Sequence, residues 1–435
     1  YVSAKTMILE SYEDARDWLY SLKNRGATYG IERMEVFAEL LGNPQAAYPG
    51  IHIAGTNGKG STAAMLEAIF RAHGYKTGLS TSPHLVRQGE RIQVNREILS
   101  EDQILEYTRE LKAVGDSIAD PEMRPSFFEF MTAMAFLHFQ RSEVDIAIVE
   151  VGLGGRLDAT NILKPEIAVI TSVGMDHCEI LGDTLEKIAQ EKAGIVKPGV
   201  PTVIGRLKTE AKQAVERVCR ERGSPLMTVD QAYVSDADFP ETNLLGGYQR
   251  INAATAMVVA KSLRERFDLD ESRCLNALKS VEWPARWDLR RMKHRDIVFD
   301  VSHNEEGSRW LDSNLSDWMA KGGLPVDAVV GIMGDYRARS LVPVIARFAR
   351  SITLVMPQQS RSSSFESLEG FVPEDYRGVV NRSSIEELFP GKGECALDRP
   401  DDHAVLVTGS IYLIGEIWER YYETSPVGQG ILQDF

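Results

Sequence analysis

A single lysine set among glycines, Gly55-Thr56-Asn57-Gly58-Lys59-Gly60-Ser61-Thr62, is the stretch best equipped for chemistry. Glycines let successive backbone N–H groups converge on an anion. A helix opening behind them adds partial positive charge, and Lys59 adds a full one. Ser61 and Thr62 stand where hydroxyls would cap that helix. Such a loop cradles nucleotide phosphates. Its spacing departs from the standard pattern: Ile53 replaces the first glycine, and Gly60 separates Lys59 from Ser61. A glycine-rich turn that merely joins strand to helix is the alternative for these residues alone.

Three further groups fall just beyond apolar runs. Ser82 follows Thr77–Thr81, Glu150 closes Val144–Val149, and Asp176-His177 follows Ile167–Thr171. Ligands of open parallel sheets bind beyond the carboxyl ends of the strands. An apolar strand ending in an acid resembles the Walker-B arrangement, in which a carboxylate helps hold Mg²⁺. Ser82, Glu150 and His177 are thus placed to converge on Mg²⁺, which takes few protein ligands. Imidazole is the least usual of these donors, so a loop or capping role is the alternative for His177. Gly152-Leu153-Gly154-Gly155-Arg156 follows a strand, as a dinucleotide fingerprint would, but lacks the third glycine and the helix opening. A dehydrogenase is not expected.

The elements that must position these groups alternate between strand and helix. Helical spacing covers 8–23 and Glu32–Leu41, with a glycine-punctuated loop, Arg25–Arg33, between them. Ser100 and Ser126 stand at the starts of two further helices, and Thr184–Val196, Thr209–Arg222 and Tyr248–Arg264 read as three more. The pattern breaks near Ser280–Arg286. A second series follows: strand Asp296–Val301, helix Glu305–Met319, strand Ala328–Ile332, helix Leu341–Phe348, strand Ile352–Met356, strand Ala404–Thr408 and helix Ser410–Tyr421. Serine-rich Gln358–Ser364 reads as a mobile loop. The expected class is α/β: a P-loop-type N-terminal domain with a mainly parallel sheet (1–283), and a smaller Rossmann-like α/β C-terminal domain (284–435).

Composition narrows the function classes. A chain of 435 residues is long for one core. Its net charge of −14 disfavours a nucleic-acid binder. No apolar run approaches the roughly 18 residues of a membrane span, and Tyr1–Thr6 lacks the apolar core of a signal peptide. The four cysteines are scattered with no C-x-x-C, which argues against a zinc site or a disulfide framework. A cytoplasmic protein is expected.

The ordered motifs resemble the folylpolyglutamate synthase/dihydrofolate synthase family of the Mur ligase superfamily. They are Gly55–Ser61, Ser82-Pro83-His84-Leu85, Glu90-Arg91-Ile92, Phe127-Phe128-Glu129, Glu150–Asn161, Asp176-His177, Glu191–Ile195, Gln249 with Asn252, and Gly409–Leu413. The resemblance implies that ATP phosphorylates a pteroate or folate carboxylate and that the amine of L-glutamate attacks the acyl phosphate. The substrates would be dihydropteroate, tetrahydrofolate or both, on a monomeric enzyme with no nucleic-acid or membrane partner.

By the same resemblance, Gly55, Thr56, Asn57, Gly58, Lys59, Gly60, Ser61 and Thr62 hold the nucleotide. Asn252, Arg286, Asp300 and His303 close on it. Ser61, Ser82, Glu150, His177 and Lys192 serve one or two Mg²⁺ ions, Lys192 as a CO2-derived carbamate. Lys59, Glu150, His177 and Lys192 form the catalytic set. Tyr29, Gly30, Arg33, Pro83, His84, Phe128, Asp158 and Thr160 are candidate substrate contacts. On the residues alone, Lys192 reads as a solvated lysine on the helix Thr184–Val196, and Phe127 and Phe128 read equally as core. Two family glycines are replaced, in Pro284-Ala285-Arg286 and in Asp300-Val301-Ser302-His303-Asn304. A Mur-type peptidoglycan ligase would usually carry a further N-terminal domain, whereas about 50 residues precede the loop here. A non-ligase ATPase switch is the remaining alternative.

Overall fold

Ile51 and Ile53 have no exposed surface, and the strand carrying them lies inside the larger sheet. This computed structural model describes residues 8–25, 30–292, 295–397 and 402–422. The larger sheet comprises β1 (Gly50–Ala54), β2 (Thr77–Ser80), β3 (Ile92–Val94), β4 (Glu97–Ile98), β5 (Ile146–Glu150), β6 (Ile167–Ile170), β7 (Thr202–Ile204) and β8 (Leu226–Thr228). The order is β4-β3-β2-β5-β1-β6-β7-β8. Neighbours from β2 to β8 are parallel, and β3 and β4 add an antiparallel edge.

A parallel sheet needs cover on both faces, which explains the unbroken apolar runs of β1 and β5. Ile146 and Ile148 of β5 pack beneath helices Lys59–Ala72 and Gly247–Leu263. Ala147 and Val149 point the other way, into helices Tyr12–Ser21, Glu101–Ser117 and Phe127–Arg141. Those three helices start where Ser11, Ser100 and Ser126 each cap an N–H three residues on, and Asp14, Gln103 and Glu129 reach back.

The smaller sheet comprises β9 (Asp288–Met292), β10 (Arg295–Asp300), β11 (Val326–Val330), β12 (Ala349–Leu354), β13 (Val379–Arg382) and β14 (Ala404–Thr408), in the order β13-β12-β11-β14-β10-β9. All neighbours are parallel except β9 and β10. Helices Glu305–Ala320, Asp335–Phe348 and Ile411–Tyr422 cover it. Leu85, from the loop after β2, enters this second core. The α/β class with two mainly parallel sheets is the expected one.

Several local expectations need correction. The helix expected from Leu341 begins at Asp335, two turns earlier, and carries Pro343 inside it. The proline disguised a helix whose apolar face, Ala338, Leu341, Val342 and Ile345, is buried. The serine-rich segment is pinned rather than loose. Ser363 N–H donates to Ile332 O at 2.9 Å, and Ser362 Oγ donates to Pro357 O at 2.6 Å. Ser61 and Thr62 do not cap their helix: it starts at Lys59 with Gly58 at the cap, so both hydroxyls lie inside the first turn.

Candidate active site

The glycine-rich loop around Lys59 leaves β1 and is held from below by the segment after β6. Thr171 Oγ1 donates to Asn57 O at 2.7 Å, Thr56 N–H donates to Ser172 O at 2.9 Å, and Asn57 N–H donates to Ser172 Oγ at 2.9 Å. Gly58 sits at φ +83°, and a Cβ there would stand 2.4 Å from Asn252 Oδ1. Only glycine fits both the dihedral and the close approach. Asn252 Nδ2 in turn donates to Gln249 Oε1 at 3.0 Å, and Gln249 Nε2 to Ser61 Oγ at 3.3 Å. Lys59 Nζ donates to Gly55 O at 3.2 Å and lies 3.9 Å from Glu150 Oε1.

Glu150 is buried, and Ser82 N–H donates to its Oε2 at 3.2 Å. Burial raises its pKa; Lys59 and the Ser82 N–H oppose that rise. Lys192 is not solvated: it is 3% exposed, and its Nζ donates to Gly55 O at 3.0 Å. Burial, with Lys59 beside it, pushes the ammonium down to about 7. His177 holds a left-handed backbone at φ 50° as it caps helix Cys178–Leu181. Its side chain nevertheless faces the site, and burial lowers its pKa to about 4 against the pull of Asp176. Burial alone would raise Asp176, yet His303, His177 and Arg337 hold its carboxyl well below the usual range. His303 donates from Nδ1 to Val301 O at 2.8 Å, which leaves Nε2 3.7 Å from Asp176 Oδ2.

Two cavities meet at the loop. The smaller, about 160 Å³, brings together Lys59, Ser82, Pro83, Glu150, His177 and Lys192 with Asp176 and, from the second domain, Arg286, His303, Arg337, Arg361 and Tyr412. The larger, about 490 Å³, is lined by Asn57, Gly58, Ser61, Asn252, Arg286, Asp300 and His303, with Tyr248 and Trp310 facing each other across the domains. Asn57, Gly58, Arg286 and His303 border both. Asp300 is buried, accepts N–H bonds from Ser302 at 2.9 Å and Trp287 at 3.0 Å, and is raised in pKa by burial.

Other expected residues lie apart. Ser61 borders the larger cavity, away from Ser82, Glu150, His177 and Lys192. Thr62 has no exposed surface and lines neither cavity. His84 is buried and accepts from Arg91 Nε at 2.7 Å. Asp158 caps the turn Ala159–Ile162 and accepts from Thr160 Oγ1 at 2.5 Å, while Thr160 Oγ1 also meets His52 Nε2 at 2.8 Å. Arg33 pairs with Glu129 at 3.2 Å. Gly30 is half-buried and lines neither cavity. Tyr29 lies outside the described residues. Phe127 belongs to the core, whereas Phe128 is half-buried against Gly152 just beyond β5. Of the two replaced glycines, only Ala285 needs positive φ, at 62°. Arg337, Arg361, Asn304 and Glu306 are absent from the expected set. Asn304 carried a signal, as the neighbour of His303, but the arginines follow strands whose register no local pattern reveals.

Residues 53–260 match the Mur ligase middle domain. The chain is 31% identical over 433 residues to the dihydrofolate synthase/folylpolyglutamate synthase of Bacillus subtilis, covering 94% of this chain and 99% of that one. The folylpolyglutamate synthase of Thermotoga maritima superposes with a TM-score of 0.80 at 30% identity, covering 95% and 97%. That of Mycobacterium tuberculosis, complexed with ADP and AMPPCP, gives 0.80 at 26% identity, covering 94% and 98%. A folylpolyglutamate synthase complexed with AMPPCP and folate gives 0.78 at 27% identity, covering 94% and 98%. The middle-domain match and the full-length relatives together set the class, that of the ATP-dependent Mur ligases. Within it, the chain belongs to the dihydrofolate synthase/folylpolyglutamate synthase family.

Proposed function

We propose that this ligase joins L-glutamate to the carboxylate of a pteroate or folate, with ATP, through an acyl phosphate. One observation carries the reading. The loop that would hold phosphates forms the wall between a roomy cavity and a small one where carboxylates of the first domain meet cations of both. A nucleotide in the larger cavity would present its terminal phosphate at Asn57, Gly58 and Lys59. A carboxylate is a poor electrophile, so activation to an acyl phosphate must precede amide formation. Lys59 and the loop N–H groups stabilise the charge that builds on the transferred phosphoryl group. Arg286 and His303, arriving from the second domain, close over it and exclude water from a hydrolysable acyl phosphate. The chain would divide functionally at 283/284, inside the segment that carries Trp283 toward Arg286.

Glu150 fits a magnesium ion. It is a desolvated carboxylate with one N–H donor and a lysine at 3.9 Å, short of positive charge. Among the described residues no cluster of three His, Cys, Asp or Glu could hold a metal. A site with one carboxylate, Ser82 and His177 that leaves its other positions to water and phosphate suits Mg²⁺. The bound ion would neutralise phosphate charge. Lys192, buried at the cavity wall, is placed to carry a carbamate, whose negative charge would suit the cations around it. Glutamate, with its two carboxylates, would enter beside Arg337 and Arg361.

The test is product analysis by mass spectrometry, with dihydropteroate and tetrahydrofolate offered separately, each with ATP, Mg²⁺ and glutamate. One added glutamyl unit on either acceptor is expected. ATP turnover indifferent to both acceptor and glutamate would overturn the reading in favour of a switch.

A further inference from the structure

The loop between β12 and helix Phe365–Glu369 carries Arg361 to the mouth of the smaller cavity. Three other cations there have partners within the protein. Lys59 bonds Gly55 O and faces Glu150, Lys192 bonds Gly55 O, and Arg337 lies 3.4 Å from Asp176 Oδ1. Arg286 sits at the junction of the cavities, on the phosphate side. Among the described residues no carboxylate pairs with Arg361. Its chemistry suits a carboxylate brought by the ligand.

The loop's reach is fixed at three points. Ser362 bridges to Met333, and Ser363 N–H donates to Ile332 O, both at the end of β11. The third point lies on another element: Glu416 Oε1 accepts from Gln358 N–H at 2.8 Å. Glu416 belongs to helix Ile411–Tyr422, whose first residues, Ile411 and Tyr412, line the same cavity. One rigid helix therefore forms part of the cavity wall and also holds the arginine loop, five residues further along.

We infer that Glu416 is a positioning residue: by accepting the Gln358 N–H it holds the 357–364 loop so that Arg361 can grip a carboxylate of the incoming glutamate. This rests on the glutamate-ligase reading above. The groups around Glu416 are Glu386, on the neighbouring helix Ile385–Leu388, and Glu419 and Arg420 on its own helix; Arg420 is engaged with Glu386 at 2.7 Å. Burial, helped by Glu386 and Glu419, pushes the Glu416 carboxyl up to about 7, with the Gln358 N–H opposing. The anion accepts the hydrogen bond more strongly than the acid does. The grip on glutamate should therefore weaken as pH falls through that value.

Steady-state ligation with glutamate varied at saturating ATP and folate tests this. Arg361→Ala should raise KM for glutamate by on the order of tenfold with kcat nearly kept, the loss of one charge-assisted contact. Glu416→Ala should raise the same KM by a smaller factor and leave KM for ATP unchanged. Glu416→Gln keeps an acceptor oxygen but cannot ionise, so it should hold KM near wild type while flattening its pH dependence around pH 7. In the Arg361→Ala background, Glu416→Ala should add nothing, because the two act in series. A further multiplicative rise in the double variant, or unchanged KM in both single variants, overturns this inference while leaving ligation intact. Failure of the wild type to add glutamate at all would instead sink the functional reading beneath it.

Discussion

Asn57 and Asn304 exchange hydrogen bonds between the two domains: Asn57 Nδ2 donates to Asn304 Oδ1 at 3.3 Å, and Asn304 Nδ2 to Asn57 Oδ1 at 3.1 Å. Asn304 Nδ2 also donates to Asp176 Oδ2 at 3.0 Å, and its Oδ1 accepts Gly307 N–H at 2.8 Å, capping helix Glu305–Ala320. Glu306 adds a second grip on the loop, accepting from Asn57 Nδ2 at 2.5 Å. One amide thus links the phosphate loop, the acid beside His177 and the start of a second-domain helix. Asn304→Asp keeps the cap acceptor but turns the donor facing Asp176 into an anion. Ligation should fall at least roughly tenfold, because like charges set side by side cost several kcal/mol and would weaken the contact between the domains. Loss of fold, seen by circular dichroism, would show the residue to be structural instead.

Lys192→Ala should abolish ligation. If a carbamate anion is what the site requires, added acetate or formate should restore part of the rate, since a small carboxylate can occupy the vacated space. Full activity without an additive would rule that role out.

His52 sits beneath the site with no exposed surface, and burial, aided by Lys197, pushes its pKa down to about 3. The folded chain therefore resists a proton that the unfolded chain accepts near pH 6.5. The sign follows from linkage: this contribution is fully present above about 6.5 and is lost as pH falls toward 3. Within that window the slope approaches about 1.4 kcal/mol per pH unit for one proton. His52→Gln should flatten the dependence, which urea melts between pH 4 and 7 would measure.

Ala285 occupies left-handed backbone at φ 62°, held by its N–H to Asp288 Oδ2 at 3.1 Å and by Val301 N–H donating to its carbonyl at 3.1 Å. A side chain in that region costs about 1–2 kcal/mol. Glycine would relieve this while giving back part through unfolded-chain entropy. Ala285→Gly should therefore stabilise the protein by about 0.5–1 kcal/mol, read as a rise in Tm. An unchanged or lowered Tm would mean that the surrounding contacts, rather than the dihedral, set the balance.

Much of this arrangement was legible because it is local. The glycines around Lys59, the acid closing an apolar strand and the Ser-x-x-Glu that starts at Ser126 announce their geometry within a few residues. What escaped is carried by tertiary context. β7 and β8 have three residues each, too few for a pattern to show. Pro343 masked two turns of a helix that packing stabilises anyway. Arg337 and Arg361 reach the cavity only because β11 and β12 lie side by side and end together. Thr62 shows the converse. It sits in the loop by sequence, yet the helix starts early enough to turn its hydroxyl into the core.

Both cavities draw walls from both domains, and their shared border is the phosphate loop together with Arg286 and His303. If the domains parted, each pocket would lose about a third of its lining at the same instant. Separation would therefore dismantle the grip on ADP, phosphate and the lengthened product together, so that release needs no dedicated exit path. The enzyme that assembles its sites by closing would discharge them by opening, and the pace of that hinge would bound its turnover.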